Sequence, residues 1–221
     1  MKVIILSGFL GAGKTSLLLQ LAAYLSGGAG HAGGGARDAA AGGVAGTDAA
    51  AAAVAGRPRV AILENEIGKV SVDGATLRSQ GIEVRELFSG CVCCTLTGEL
   101  ASSIVEIEEK LQPHWLIIEA TGLAFPDRTA NVVREYSTNL ESLKIVVLID
   151  AEHFLILDKI VPLISGQPQF ADLLLLNKID LADEDTIQQT VDRLREINAE
   201  APLFQIIATE PLPDDLWQEV L

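Results

Sequence analysis

Eight residues near the start of the chain, Gly8-Phe9-Leu10-Gly11-Ala12-Gly13-Lys14-Thr15, narrow what it can fold into more than any other stretch. Their spacing is that of a phosphate-binding loop, and they lie between the apolar run Lys2 to Leu6 and a leucine-rich helical candidate, Thr15 to Leu25. In that setting, backbone amides and the positive end of the helix face anionic oxygens. Gly8, Gly11, Ala12 and Gly13 bring the main chain close to phosphate. Lys14 reaches the β- and γ-phosphates, Thr15 offers its hydroxyl to Mg²⁺, and Ser16 completes the nucleotide-binding set. A glycine-rich turn without a ligand is the plain alternative, and the complete match between a strand and a helix argues against it.

Downstream, short apolar runs alternate with amphipathic segments, as in a parallel sheet covered on both faces. Lys2 to Leu6, Val60 to Leu63, Ile82 to Leu87, Leu116 to Glu119, Ile145 to Ile149, Leu173 to Leu176 and Phe204 to Ile207 read as strands. Helical candidates include Thr15 to Leu25, Leu100 to Leu111, Ala151 to Ile160, Asp185 to Ile197 and Leu212 to Leu221. Apolar residues three and four apart, such as Ile104, Ile107 and Leu111, support them. The expected class is α/β: a P-loop NTPase with a doubly wound, mainly parallel sheet of about seven strands flanked by helices. Residues 27–57 interrupt the pattern with little but Gly and Ala, too few side chains to bury a core, and read as a flexible insertion in a single domain over 1–221.

Asn177-Lys178-Ile179-Asp180 follows the apolar run Leu173 to Leu176 directly. The Asp180 carboxylate can accept from both N1–H and the exocyclic amine of guanine, a donor pair that adenine lacks. Asn177 would brace the loop, and the Lys178 stem would lie along the ring. Four residues alone also fit a polar turn, but after a P-loop and at a strand's carboxyl end they favour GTP over ATP. An ATP-dependent small-molecule kinase is correspondingly disfavoured. Leu116 to Gly122 is a strand ending in an acid, so Glu119 is the candidate second Mg²⁺ ligand, acting through a water because its stem is longer than that of Asp, and Gly122 can offer an amide to the γ-phosphate and move when it leaves. No glutamine is evidently placed to orient attacking water, and hydrolysis is expected to be slow unless a partner, a client or a homodimer's second subunit, supplies the missing group.

All three cysteines, Cys91, Cys93 and Cys94, fall within four residues. Thiolates are soft ligands, and this spacing can direct two or three sulfurs to one transition-metal centre. Redox chemistry and core packing are the competing readings, in that order. Such thiols suit a reducing, cytoplasmic compartment rather than a secreted disulfide framework.

With the P-loop, Glu64-Asn65-Glu66-Ile67-Gly68 and Asp73, the Gly90-Cys91-Val92-Cys93-Cys94 stretch, Glu119 to Gly122 and Asn177 to Asp180, the chain resembles the CobW-like family of metallochaperone GTPases, relatives of the nickel-delivery GTPases of urease and hydrogenase maturation. The resemblance implies a GTPase that cycles between GTP and GDP with Mg²⁺, and couples hydrolysis to binding and transfer of zinc or cobalt. It also brings the Glu66 loop near the cysteines, which makes Glu66 the candidate fourth ligand, and implies a client metalloprotein or cofactor-assembly protein as partner. The chain is read without the separate C-terminal domain that many family members carry. A regulatory or assembly module whose thiols are structural or redox-active is the alternative function.

Charge narrows the partners. Sixteen Lys and Arg against thirty Asp and Glu give a formal charge of -14, which argues against a nucleic-acid binder. No uncharged stretch stays apolar over the length of a membrane span. His31, His114 and His153 are read as solvent-facing or structural, and Asp150 as a cap for the helix that follows it.

Overall fold

The computed structural model describes residues 1–25, 58–64, 83–86 and 95–221. Seven strands form one sheet: β1 (Lys2–Ser7), β2 (Val60–Glu64), β3 (Glu83–Glu86), β4 (Trp115–Glu119), β5 (Ser142–Asp150), β6 (Leu173–Asn177) and β7 (Leu203–Ile206). Their order is β3-β2-β4-β1-β5-β6-β7, and every pairing is parallel. The α/β class and the seven expected strands are therefore observed. Helices are α1 (Lys14–Leu25), α2 (Thr95–Lys110), α3 (Pro126–Tyr136), α4 (Phe154–Asp158), α5 (Pro162–Gly166), α6 (Glu184–Ile197) and α7 (Asp214–Val220), with 3₁₀ turns at Pro168–Phe170 and Ile179–Leu181. None is long and apolar enough to cross a membrane. The 27–57 insertion, Glu66 and the three cysteines lie outside the described residues.

Both faces of the sheet are covered, because successive side chains of a strand point to opposite sides. Ile4, Leu6, Ile117, Val146, Leu148 and Leu175 pack with Leu17, Leu18 and Leu21 of α1 and Leu216 and Trp217 of α7. Val3, Ile5, Leu116, Ile118, Val147 and Leu174 face α2 to α6 through Ile104, Ile107, Ala130, Val133, Phe154, Ile164 and Leu194. Full burial of a Leu or Ile side chain contributes about 1.5–3 kcal/mol, so these two layers are the main support of the sheet. Tyr24 stacks on Trp217 with ring centroids 5.3 Å apart, tying α1 to α7.

Among the departures from the sequence reading, two have a local cause. The periodicity argument passes over α3, in which Ala130, Val132 and Val133 are the buried aliphatic residues of an otherwise polar segment. Its signals are local: Pro126 opens the helix with a preset φ, Asp127 stands in the first turn and Arg134 in the last. Second, the expected helix Ala151 to Ile160 contracts to Phe154–Asp158. Asp150 Oδ1 accepts from Glu152 N at 3.0 Å and His153 N at 3.3 Å, so its carboxylate closes a turn ahead of the helix instead of capping the helix itself.

The polar joint between α2 and the α3–β5 connection centres on Glu108, which is 6% exposed. Its carboxylate accepts from the Ser137 hydroxyl, from Thr138 N and Thr138 Oγ1, both at 2.9 Å, and from Asn139 N at 3.3 Å. Burial alone would raise its pKa, but the donors from Ser137, Thr138 and Asn139 outweigh it and hold the carboxyl below its ordinary range. A depressed carboxylate stabilises the fold above its unfolded-state pKa and loses that contribution as pH falls through the folded-state value. Glu108→Gln should therefore lower unfolding stability by about 2 kcal/mol near neutral pH. In urea titrations the gap to the unsubstituted chain should narrow as the pH falls below the ordinary carboxylate range. A gap that stays constant with pH would show that the ionised form is not what the joint uses.

Candidate functional site

The chain runs from central β1 outward to β2 and β3, returns to β4, and then builds β5 to β7 on the other side of β1. In an open parallel sheet the crevice at such a reversal, beyond the carboxyl ends of the strands, is where ligands bind. The register places the candidate residues there. Leu6 of β1 is level with Glu119 of β4, and Asp150 of β5 is level with Asn177 of β6.

The P-loop leaves β1 at Ser7 and enters α1 at Lys14. Gly8, Gly11 and Gly13 all have positive φ, at 137°, 78° and 101°. A Cβ at Gly8 would run into the Leu148 carbonyl oxygen, and one at Gly13 into the Asn177 side-chain nitrogen. Lys14 is 8% exposed, and its Nζ donates to Gly8 O at 3.0 Å and Phe9 O at 3.3 Å, which keeps the ammonium within the loop. Thr15 Oγ1 donates to Glu119 Oε1 at 3.1 Å, a contact between residues 104 positions apart. Hydroxyl and carboxylate oxygens are the hard donors that Mg²⁺ takes, and neighbouring ligands of an octahedral ion about 2.1 Å from the metal stand ~3 Å apart, so this pair fits that ion.

Asn177 is 3% exposed and its carboxamide bridges two loops. Nδ2 donates to Ala12 O, and Oδ1 accepts from Ala208 N, both at 2.8 Å. Lys178 adopts the left-handed conformation, φ 64° and ψ 37°, rare for a residue with a side chain. Its Nζ meets Asp150 Oδ2 at 2.7 Å. Asp180 sits exposed on the 3₁₀ turn Ile179–Leu181, beside the buried Asn177. Gly122 is buried against the P-loop, where a Cβ would stand 2.7 Å from Leu10 N.

The fold thus brings together Gly8, Gly11 to Ser16, Glu119, Gly122 and Asn177 to Asp180. Sequence reasoning assigned Asp150 only a capping role and did not single out its pairing with Lys178. A usable signal was available, because Asp150 ends β5 at the carboxyl edge where Asn177 ends β6. Carboxylate oxygens of Asp150 and Glu152 and a ring nitrogen of His153 also lie within 4.8 Å of one another. The Lys178 ammonium on Asp150 opposes a cation there. His114 is structural as expected: its Nδ1 accepts from Arg59 N at 2.9 Å. A cavity of about 350 Å³, bounded in part by Phe9, Leu10, Phe154, Ile164, Gln167 and Lys178, lies beside the P-loop on the α4–α5 side.

Comparison with known proteins agrees with this arrangement. Residues 51–205 match the model of the CobW/HypB/UreG nucleotide-binding domain. The zinc chaperone YjiA of Escherichia coli is 28% identical over 212 residues, covering 92% of this chain and 57% of its own length. The zinc-regulated GTPase metalloprotein activator 1 of Dictyostelium discoideum is 28% identical over 243 residues, covering 92% of this chain and 45% of its own. The chain therefore spans about half the length of these curated relatives. In fold it is similar to the Zn(II)-bound YjiA GTPase of E. coli, with a TM-score of 0.63 at 24% identity over 100% of this chain and 61% of that one. It also resembles HypB from Helicobacter pylori in complex with nickel, with a TM-score of 0.56 at 16% identity over 99% of this chain and 81% of that one. With its motifs gathered at the reversal of a parallel sheet, and the family model matched over residues 51–205, the chain belongs to the CobW/HypB/UreG nucleotide-binding domain family.

Proposed function

We propose that this chain is a GTP-binding and GTP-hydrolysing switch that controls the binding and transfer of a transition metal, with zinc or cobalt as cargo. The observation that carries the nucleotide half is the contact of Thr15 with Glu119 at 3.1 Å, which joins the end of the P-loop to a strand-end carboxylate. In this reading the loop amides and Lys14 hold the β- and γ-phosphates, and the Gly122 amide senses the γ-phosphate. Asn177 keeps the P-loop and the base motif in register, while Asp180 accepts from guanine N1–H and the exocyclic amine. Mg²⁺, held by Thr15 and Glu119, would supply charge neutralisation on the phosphates.

For the metal half, support comes from donor chemistry and from the relatives. Cys91, Cys93 and Cys94 are three soft ligands, Glu66 is the proposed fourth, and the relatives named above are zinc chaperones or zinc-regulated activators. A client metalloprotein or cofactor-assembly protein is the proposed recipient. Metal and nucleotide must influence one another reciprocally, since a coupling free energy between two binding sites has a single value.

Two measurements test the reading. Asp180→Asn should weaken GTP binding by about 3 kcal/mol, on the order of 100-fold, and favour xanthosine triphosphate, whose O2 can accept from the new amide. Unchanged GTP affinity in a fluorescent-nucleotide titration would remove Asp180 from base recognition. For the cargo, competition between the reduced protein and a chromogenic zinc chelator should report a zinc affinity that differs about 5- to 150-fold between GTP analogue and GDP. That affinity should fall in Cys93→Ser. Equal affinities in the two nucleotide states would refute the coupling, and affinity independent of the cysteine would favour a docking module with structural thiols.

A further inference from the structure

Gln167 lies between α5 and the 3₁₀ turn Pro168–Phe170 and is 2% exposed. Its Nε2 donates to Gly122 O at 3.2 Å and to Ala124 O at 2.9 Å. A carboxamide nitrogen carries two N–H donors, and here they meet two carbonyls of one short turn, closed by Ala124 N donating to Thr121 O at 3.0 Å. These contacts span 45 and 43 residues, so they join separate parts of the fold rather than complete a local turn.

Neighbouring residues make the same joint specific. At Gly166 a Cβ would collide with the Phe125 ring. Phe125 in turn meets Phe170 edge-on, centroids 6.3 Å apart, with the Arg128 guanidinium 5.8 Å from its own centroid. On the opposite side, Gly122 is pressed against Leu10 of the P-loop. The turn is thus gripped between the phosphate-binding loop and one buried amide.

We propose that Gln167 is a positioning residue for the γ-phosphate response: by fixing the Gly122–Ala124 carbonyls it holds the turn where the Gly122 amide can meet the γ-phosphate, and so sets the preference for GTP over GDP. This rests on the reading of Gly122 as the γ-phosphate contact. A buried amide suits the role, since it supplies two donors without a charge that would have to be desolvated beside the phosphates. Gln167 touches no nucleotide in this account and acts through the turn alone.

The test compares affinities of the full chain for GDP and for a non-hydrolysable GTP analogue by fluorescent-nucleotide displacement. Gln167→Met keeps the volume and removes both donors, whereas Gln167→Glu turns a carboxylate towards two carbonyl oxygens. In both, GTP-analogue affinity should fall about fivefold or more while GDP affinity stays level. Lowering the pH should partly restore the ratio in Gln167→Glu, relative to the unsubstituted chain at the same pH, because a protonated carboxyl regains one donor. The ratio should not recover in Gln167→Met.

An equal fall in both affinities, or no change in either, overturns the proposal. If Gln167→Met does not fold by thermal melting, the pH-dependent ratio of Gln167→Glu decides alone, and a ratio flat with pH counts against it. Gly122→Ala is measured in parallel. A changed ratio there with unchanged Gln167 variants refutes the positioning role only, whereas an unchanged ratio in Gly122→Ala refutes the γ-phosphate reading beneath it.

Discussion

One carboxamide holds the candidate site in register. Asn177 ends β6, donates to the P-loop at Ala12 and accepts from Ala208 beyond β7, so a single buried side chain sets the spacing between the phosphate loop, the base motif and the last loop of the sheet. Gly13 must be glycine in part because Asn177 occupies the space a Cβ would need. The dependence runs both ways, since without the close approach of Gly13 the Asn177 amide could not reach Ala12. Buried polar groups in such a bridge are costly to leave unmatched, about 1–3 kcal/mol each, which locks the loops into one relative position. Parallel strands make the bridge available, because their carboxyl ends all arrive at the same edge.

Phosphate binding by a chain of formal charge -14 demands an explanation at short range. Solvent-exposed charges farther apart than about 8 Å are largely screened at physiological ionic strength, so the acids beyond that range do not decide what happens inside the loop. Oriented amides, the helix terminus and a nearly buried Lys14 do. The acidic surface acts at the other end of the proposed cycle, where it favours the approach of cations.

The parts of this architecture legible in the sequence are those fixed by neighbours along the chain. A P-loop is read from eight consecutive residues because its function depends on local backbone path, and the strands β1, β4, β5 and β6 announce themselves as apolar runs because both faces of the sheet are buried. Asn177 to Asp180 is read for the same reason. What escapes is set by contacts across the fold. Asp150 pairs with Lys178 from 28 residues away, and Gln167 reaches Gly122 from 45. The first is marked only by Asp150 and Asn177 each ending an apolar strand, and nothing in the flanking composition marks the second. Helix α3 escapes differently, since one buried stripe of Ala and Val in a polar segment is too thin for a periodicity argument, and its evidence is the proline and charges at its ends. The proposed metal ligands rest on sequence and kinship, with Glu66 and the cysteines outside the described residues.

The stretch from Asp150 to Phe170 has the connections of a relay. At its start, Asp150 engages the left-handed Lys178 of the base motif, and towards its end Gln167 engages the turn that carries Gly122. Between these points stand two five-residue helices, α4 and α5, which border the 350 Å³ cavity beside the P-loop. Close-packed interiors resist displacement, whereas short helices next to unfilled volume can shift without first creating space. Under the proposed function, this stretch links the Gly122 turn to Lys178 of the base motif through named contacts. Coupling through such a route needs contacts that differ in strength between two arrangements, and the hydrogen bonds at Gln167 and the ion pair at Asp150 are polar joints capable of that difference.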